Sequence, residues 1–149
     1  MIIFQPTRKV VETEVEVTEI FKERASSPVF YVDGILCRFD FRRDPTDDLT
    51  DDPYIDICFV CNLNDSSEWW QVRASIELVV LNGKRPYKAF YVDYYSQANF
   101  EKVFMPIRWS ELKTCEKCGR IAIKATVDIL GKYGFDEKTG RGIEKPMKK

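Results

Sequence analysis

Residues 69–83, WWQVRASIELVVLNG, decide the fold. Trp70, Val72, Ala74, Ile76, Leu78 and Val80 recur at every second position, with Gln71, Arg73, Ser75 and Glu77 between them. A period of two sends the two sets to opposite faces of a pleated strand. The apolar set is unbroken, and the other is polar as far as Glu77, before Val79 and Leu81. Asn82-Gly83 follows, a pair that tolerates positive φ and lets the chain reverse. The spacing predicts a central strand of a half-buried antiparallel sheet.

The same alternation recurs outward from this strand. Residues 10–21 set Val11, Thr13, Val15 and Val17 against Glu12, Glu14 and Glu16, a charged face suited to a soluble edge. Residues 22–27 are polar and end in a turn signal, and 29–32 are a short strand. After a turn at Asp33-Gly34, Ile35, Cys37, Phe39 and Phe41 alternate with Arg38, Asp40 and Arg42. In residues 54–63, Ile55, Ile57, Phe59 and Cys61 face one way, and Asp56, Cys58 and Val60 the other. Residues 87–95 form an aromatic-rich strand, 96–101 a loop, and 103–107 an extended piece broken at Pro106. Residues 109–113 read as one helical turn with Ser110 as its N-cap. The final strand, 120–130, turns Ile121, Ile123, Ala125, Val127 and Ile129 inward. Seven or eight strands, short turns and no long helical period predict an all-β sandwich or barrel. Residues 1–14 are expected as a lead-in, 15–130 as the folded domain and 131–149 as a loosely ordered basic tail.

At 149 residues the chain is one domain, long enough to bury about two thirds of its unfolded surface. Lys and Arg (23) balance Asp and Glu (24), so the net charge is −1. A generic nucleic-acid or membrane-surface binder needs a positive excess, and neither partner is expected. No apolar run approaches the ~20 residues of a membrane span. Five cysteines, an odd number, do not form a secreted disulfide framework, so a cytoplasmic or nuclear setting with reduced thiols is expected.

The absence of histidine removes the commonest general base and zinc ligand. There is no glycine-rich phosphate loop, and neither catalysis nor a cofactor is expected. The acidic stretch 44–53 (DPTDDLTDDP) lacks the glycine and glutamate of a calcium loop and reads as a solvated turn. Two C-x-x-C pairs, Cys58/Cys61 and Cys115/Cys118, have the spacing of zinc ligands. A strand turns residues three apart to opposite faces, so Cys58 and Cys61 do not converge on one ion, and no metal site is expected.

The aromatic group Phe90, Tyr91, Tyr94, Tyr95 and Phe100, with Lys88 and Lys102 beside it, is the candidate for contact with another protein. Alternation sends about half of these rings into the core. Tyrosines left outside offer rigid, amphipathic contact area.

Several pieces, in this order, resemble the MATH (meprin and TRAF homology) domain. Ser27-Pro28-Val29-Phe30 followed by Val32-Asp33-Gly34 looks like its SPVF opening, and Ile55-Asp56-Ile57-Cys58-Phe59 like its L-S-L-Y-L strand. Residues 70–82 are similar to W-x-V-x-A-x-F-x-L-x-L-L-N, residues 107–112 to I-S-W-S-D-L, and residues 120–130 to the family's last strand. The resemblance implies an eight-stranded antiparallel β-sandwich without enzymatic activity. It further implies a shallow groove for short extended peptides, often as an adaptor in the ubiquitin system. Aromatic groove positions of the family fall on Cys58 and Ile76, both departures from aromatic, and its W-G-F-x-K-F segment on residues 99–104, where Phe100 and Phe104 survive. The expected contact set is Cys58, Ile76, Phe90, Tyr91, Tyr94, Phe100 and Lys102, for a protein partner or linear peptide. Neither the coiled coil of the TRAF proteins nor a BTB domain after Leu130 is expected, and oligomeric state is left open. The alternative is a permanent scaffold subunit locked into a larger complex by a flat apolar face.

Overall fold

Two antiparallel sheets pack face to face in the computed structural model, which describes residues 7–22, 24–44, 51–63, 65–83, 87–104, 106–136, 139–140 and 142. The elements run β1 (Arg8–Glu16), α1 (Val17–Lys22), β2 (Arg24–Ser26), β3 (Phe30–Val32), β4 (Ile35–Arg43) and β5 (Tyr54–Cys61). They continue with β6 (Gln71–Val80), β7 (Tyr87–Ser96), β8 (Glu101–Val103), β9 (Ile107–Arg108), α2 (Trp109–Lys113) and β10 (Arg120–Tyr133). One sheet has the order β1-β10-β6-β7. In the other, β4 and β5 are central, β2 and β3 both pair with β4, and β8 and β9 both pair with β5.

The fold is an all-β sandwich, with ten strands among the described residues where eight were expected. The difference lies in two interrupted lanes. Pro28 falls between β2 and β3, and Pro106 directly precedes β9. Proline has no N–H to give a ladder, so each lane breaks there and resumes. With the halves joined, each sheet is four lanes wide.

The strand read from residues 69–83 is β6, and Trp70, Val72, Ala74, Ile76, Leu78 and Val80 are all fully buried. Each large side chain among them gains about 1.5–3 kcal/mol over exposure. β10 lies beside β6 and buries its predicted isoleucines from the same side. Phe39 and Phe59 are neighbours within one sheet, 5.4 Å apart, and across the interior Phe59 meets Tyr95 of the other sheet edge-on at 5.4 Å. Asp33 and Gly34, with φ of 49° and 75°, make the β3–β4 turn, where both central residues need positive φ.

Several local expectations are corrected. The strand expected over 10–21 ends at Glu16, and α1 follows, with Ile20 fully buried. The N–H of Val17 still follows the β1–β10 register, donating to the Gly119 carbonyl at 3.0 Å as the helix begins. β1 begins at Arg8, so residues expected in the lead-in pair with β10. The polar stretch 22–27 contains β2, paired with β4. β10 runs past a bulge at Ile129/Gly131 to Tyr133, into the stretch expected as a loose tail. Beyond it, Phe135 packs on Trp70 at 6.3 Å, and the N–H of Gly142 donates to Asp65 at 2.7 Å. Apolar and polar partners on the body of the sandwich hold this segment. Most of the acidic stretch 44–53 lies outside the described residues.

The outer face of the six-stranded sheet is also less open than alternation predicts. Asp40, Cys58 and Val60 point outward yet are buried. Arg38 Nε lies 2.9 Å and Arg24 3.6 Å from the Asp40 carboxylate, which also accepts from the Ser26 hydroxyl at 2.7 Å. These longer side chains fold over the carboxylate and exclude water from it.

Candidate functional site

The aromatic segment becomes β7, the edge strand of the four-stranded sheet. Strand parity divides it cleanly. Lys88, Phe90, Val92 and Tyr94 face out, and Phe90, Val92 and Tyr94 are 61%, 45% and 63% exposed. Ala89 and Tyr95 on the other parity are buried. Tyr91 is half-buried, its ring 5.1 Å from that of Phe104, and Asp93 pairs with Lys102 at 3.8 Å. These contacts place the β7 edge beside β8, the edge of the opposite sheet.

Two hydrogen bonds fix which backbone groups of β7 are free. The N–H of Tyr94 donates to its neighbour Asp93's carboxylate at 2.8 Å, and that of Ser96 to the Asn99 carbonyl at 3.2 Å. Neither points at β6. Backbone groups alternate in direction along an antiparallel strand, so the N–H and C=O of Phe90 and Val92 open toward the free edge. A shallow cleft of about 240 Å³ lies against this edge, lined by Tyr87, Lys88, Ala89, Phe90 and Tyr91. Burial, with Tyr91 adding to it, pushes the Tyr87 phenol up to about 12.

A second cleft, of about 350 Å³, is lined by Asn62, Leu63, Asp65, Ser66, Gln97 and Phe100. Its carboxylate is already engaged. Asp65 accepts from the Ser67 hydroxyl, from Asn62 at 3.2 Å and from the Gly142 N–H at 2.7 Å. Burial alone would raise its pKa, but these donors outweigh it and hold the carboxyl below its ordinary value.

The seven residues expected to make contact fall in separate places. Phe90 and Tyr94 share the outer face of β7. Tyr91 and Lys102 lie between the two sheet edges, and Phe100, 44% exposed, precedes β8. Ile76 is fully buried in the core and cannot touch a partner in the folded chain. Cys58 is fully buried on the outer side of β5, where burial first and nearby acids second push its thiol up to about 12, against the opposing charge of Arg42. Sequence reasoning missed Val92, which the alternation of Phe90 and Tyr94 could have supplied. It also missed Arg73, whose guanidinium stands 5.7 Å from the Tyr94 ring centroid. Only the register pairing Arg73 with Tyr94 reveals that contact.

Cys58 and Cys61 separate as strand geometry requires. Cys61 joins the core opposite Cys37, and Cys58 faces Asp40 on the other side. Cys115 is buried and Cys118 exposed. No family model and no curated protein matches this chain.

Proposed function

We propose that this chain is a non-enzymatic protein-interaction module that takes an extended segment of a partner along the free edge of β7. The observation that carries it is the contrast between the two edges of one sheet. On β1 the outward side chains include Glu12, Glu14 and Glu16, charges that deter strand addition. On β7 they are Lys88, already paired with Glu77, and then Phe90, Val92 and Tyr94, with open backbone groups beside them. Main-chain hydrogen bonds to such an edge supply affinity, and alternate side chains supply selectivity. Motifs in MATH order support the same reading, and with it an adaptor role in the ubiquitin system.

Affinity capture from native cells tests it. The wild-type domain recovers a protein partner, and the double variant Phe90→Ala/Tyr94→Ala, folded by circular dichroism, does not. Undiminished recovery by that variant would remove β7 as the contact surface. A ligase or deubiquitinase among the captured proteins would support the adaptor role, and its absence would speak against it.

A further inference from the structure

The outer face around β7 carries a charge that its surroundings leave uncompensated. Neighbouring charges pair off: Lys88 with Glu77 at 3.4 Å, Lys124 with Glu12 at 3.8 Å, and Arg8 with Asp128 at 2.7 Å. Arg73 has no carboxylate partner among the described residues. Its guanidinium leans over Tyr94, toward the free edge. On its other side, Gly131 is its partner in register, and the ring of Tyr133 covers that glycine, 3.7 Å from where a Cβ would stand. The guanidinium therefore stands beside the exposed Tyr94 ring and opens toward the strand edge and solvent.

Resting on the strand-addition reading, we propose that the segment captured at β7 is acidic at one defined position: a carboxylate, then two apolar residues at alternate positions, reading acid-x-apolar-x-apolar from its N-terminus. In an antiparallel addition, the outward residues of the incoming strand face Tyr94, Val92 and Phe90 in that order. The first lies two strands from Arg73, about 10 Å at the usual inter-strand spacing, a gap that glutamate and arginine side chains together span. An acid there completes an ion pair over the Tyr94 ring. The next two positions sit on Val92 and Phe90, where apolar side chains bury exposed surface beside the cleft at residues 87–91.

Fluorescence anisotropy with fluorescein-labelled peptides tests this on the full chain, using Glu-Thr-Val-Thr-Leu and its Gln-Thr-Val-Thr-Leu counterpart within a neutral flank. The glutamate peptide should bind about fivefold more tightly at low salt, equivalent to ~1 kcal/mol of partly screened ion pairing. That advantage should shrink as salt rises. Arg73→Gln should abolish the difference between the two peptides, and Val92→Lys should weaken both. Equal binding of the two peptides, a preference that survives Arg73→Gln, or no binding of either would overturn the inference. A peptide of reversed order binding better than the forward one would overturn the antiparallel polarity. Failure of the broader reading is seen separately, as capture that does not respond to loss of Phe90 and Tyr94.

Discussion

Asp52 holds Ser110 with both carboxylate oxygens, 2.7 Å from the backbone N–H and 2.8 Å from the hydroxyl. The N-cap position of α2 is Arg108, whose side chain makes no capping bond, so a residue from before β5 caps this helix. The Ser110 hydroxyl and then its N–H hold the Asp52 carboxyl below its ordinary value. A depressed carboxylate stabilises the fold above its unfolded pKa, about 3.9, and loses that contribution as pH falls through the folded value. Asp52→Asn should therefore lower the urea midpoint at neutral pH, and the gap to wild type should narrow as pH falls below about 4. A gap that widens on acidification would contradict the capping role.

Tyr95 is buried and its hydroxyl has no hydrogen-bond partner among the described residues. Burial foremost, with Cys61, Asp93 and Cys37 adding to it, pushes the phenol's pKa well up. Removing an unsatisfied buried hydroxyl while keeping the ring should be neutral or stabilising by up to ~1 kcal/mol. Urea denaturation of Tyr95→Phe checks this, and a clear loss of stability would mean the hydroxyl is satisfied.

Ile76 belongs to the core, so Ile76→Ala should cost about 2–5 kcal/mol through lost burial and a residual cavity. Binding per folded molecule should not change. Thermal unfolding and titration of a captured partner separate the two effects. A binding loss at full folding would return Ile76 to the contact surface.

The carboxylate of Asp40 is fully buried beneath Arg38 and Arg24. Removing one member of a fully buried pair costs about 3–5 kcal/mol, because an uncompensated charge remains. Here both arginines are partly exposed and can turn into water, so Asp40→Asn should cost less, about 2 kcal/mol by denaturant unfolding. No change in stability would mean the network contributes nothing net.

Of the five cysteines, Cys118 alone is exposed, at a positive φ of 54°. Ellman's reagent should titrate one thiol rapidly in the native protein and the others only on unfolding. Cys118→Ser should remove the fast phase. Rapid labelling of Cys58 would contradict the cover formed over the outer face of β5.

The period of two, written in neighbouring residues, determined the all-β class, the position of β6 and β10 and the inward set on each. It needs only the alternation of Cβ directions along one strand and the gain from hiding one face. It also determined that Phe90 and Tyr94 share a side, although Tyr91 was grouped with them against that same parity. The tertiary structure alone decided that arginines fold over Asp40, that Asp52 caps α2, and that Arg73 comes to rest over Tyr94. Each of these depends on register or packing between segments distant in the chain. Such partners meet only after the sheets have paired, so no local pattern of residues records them.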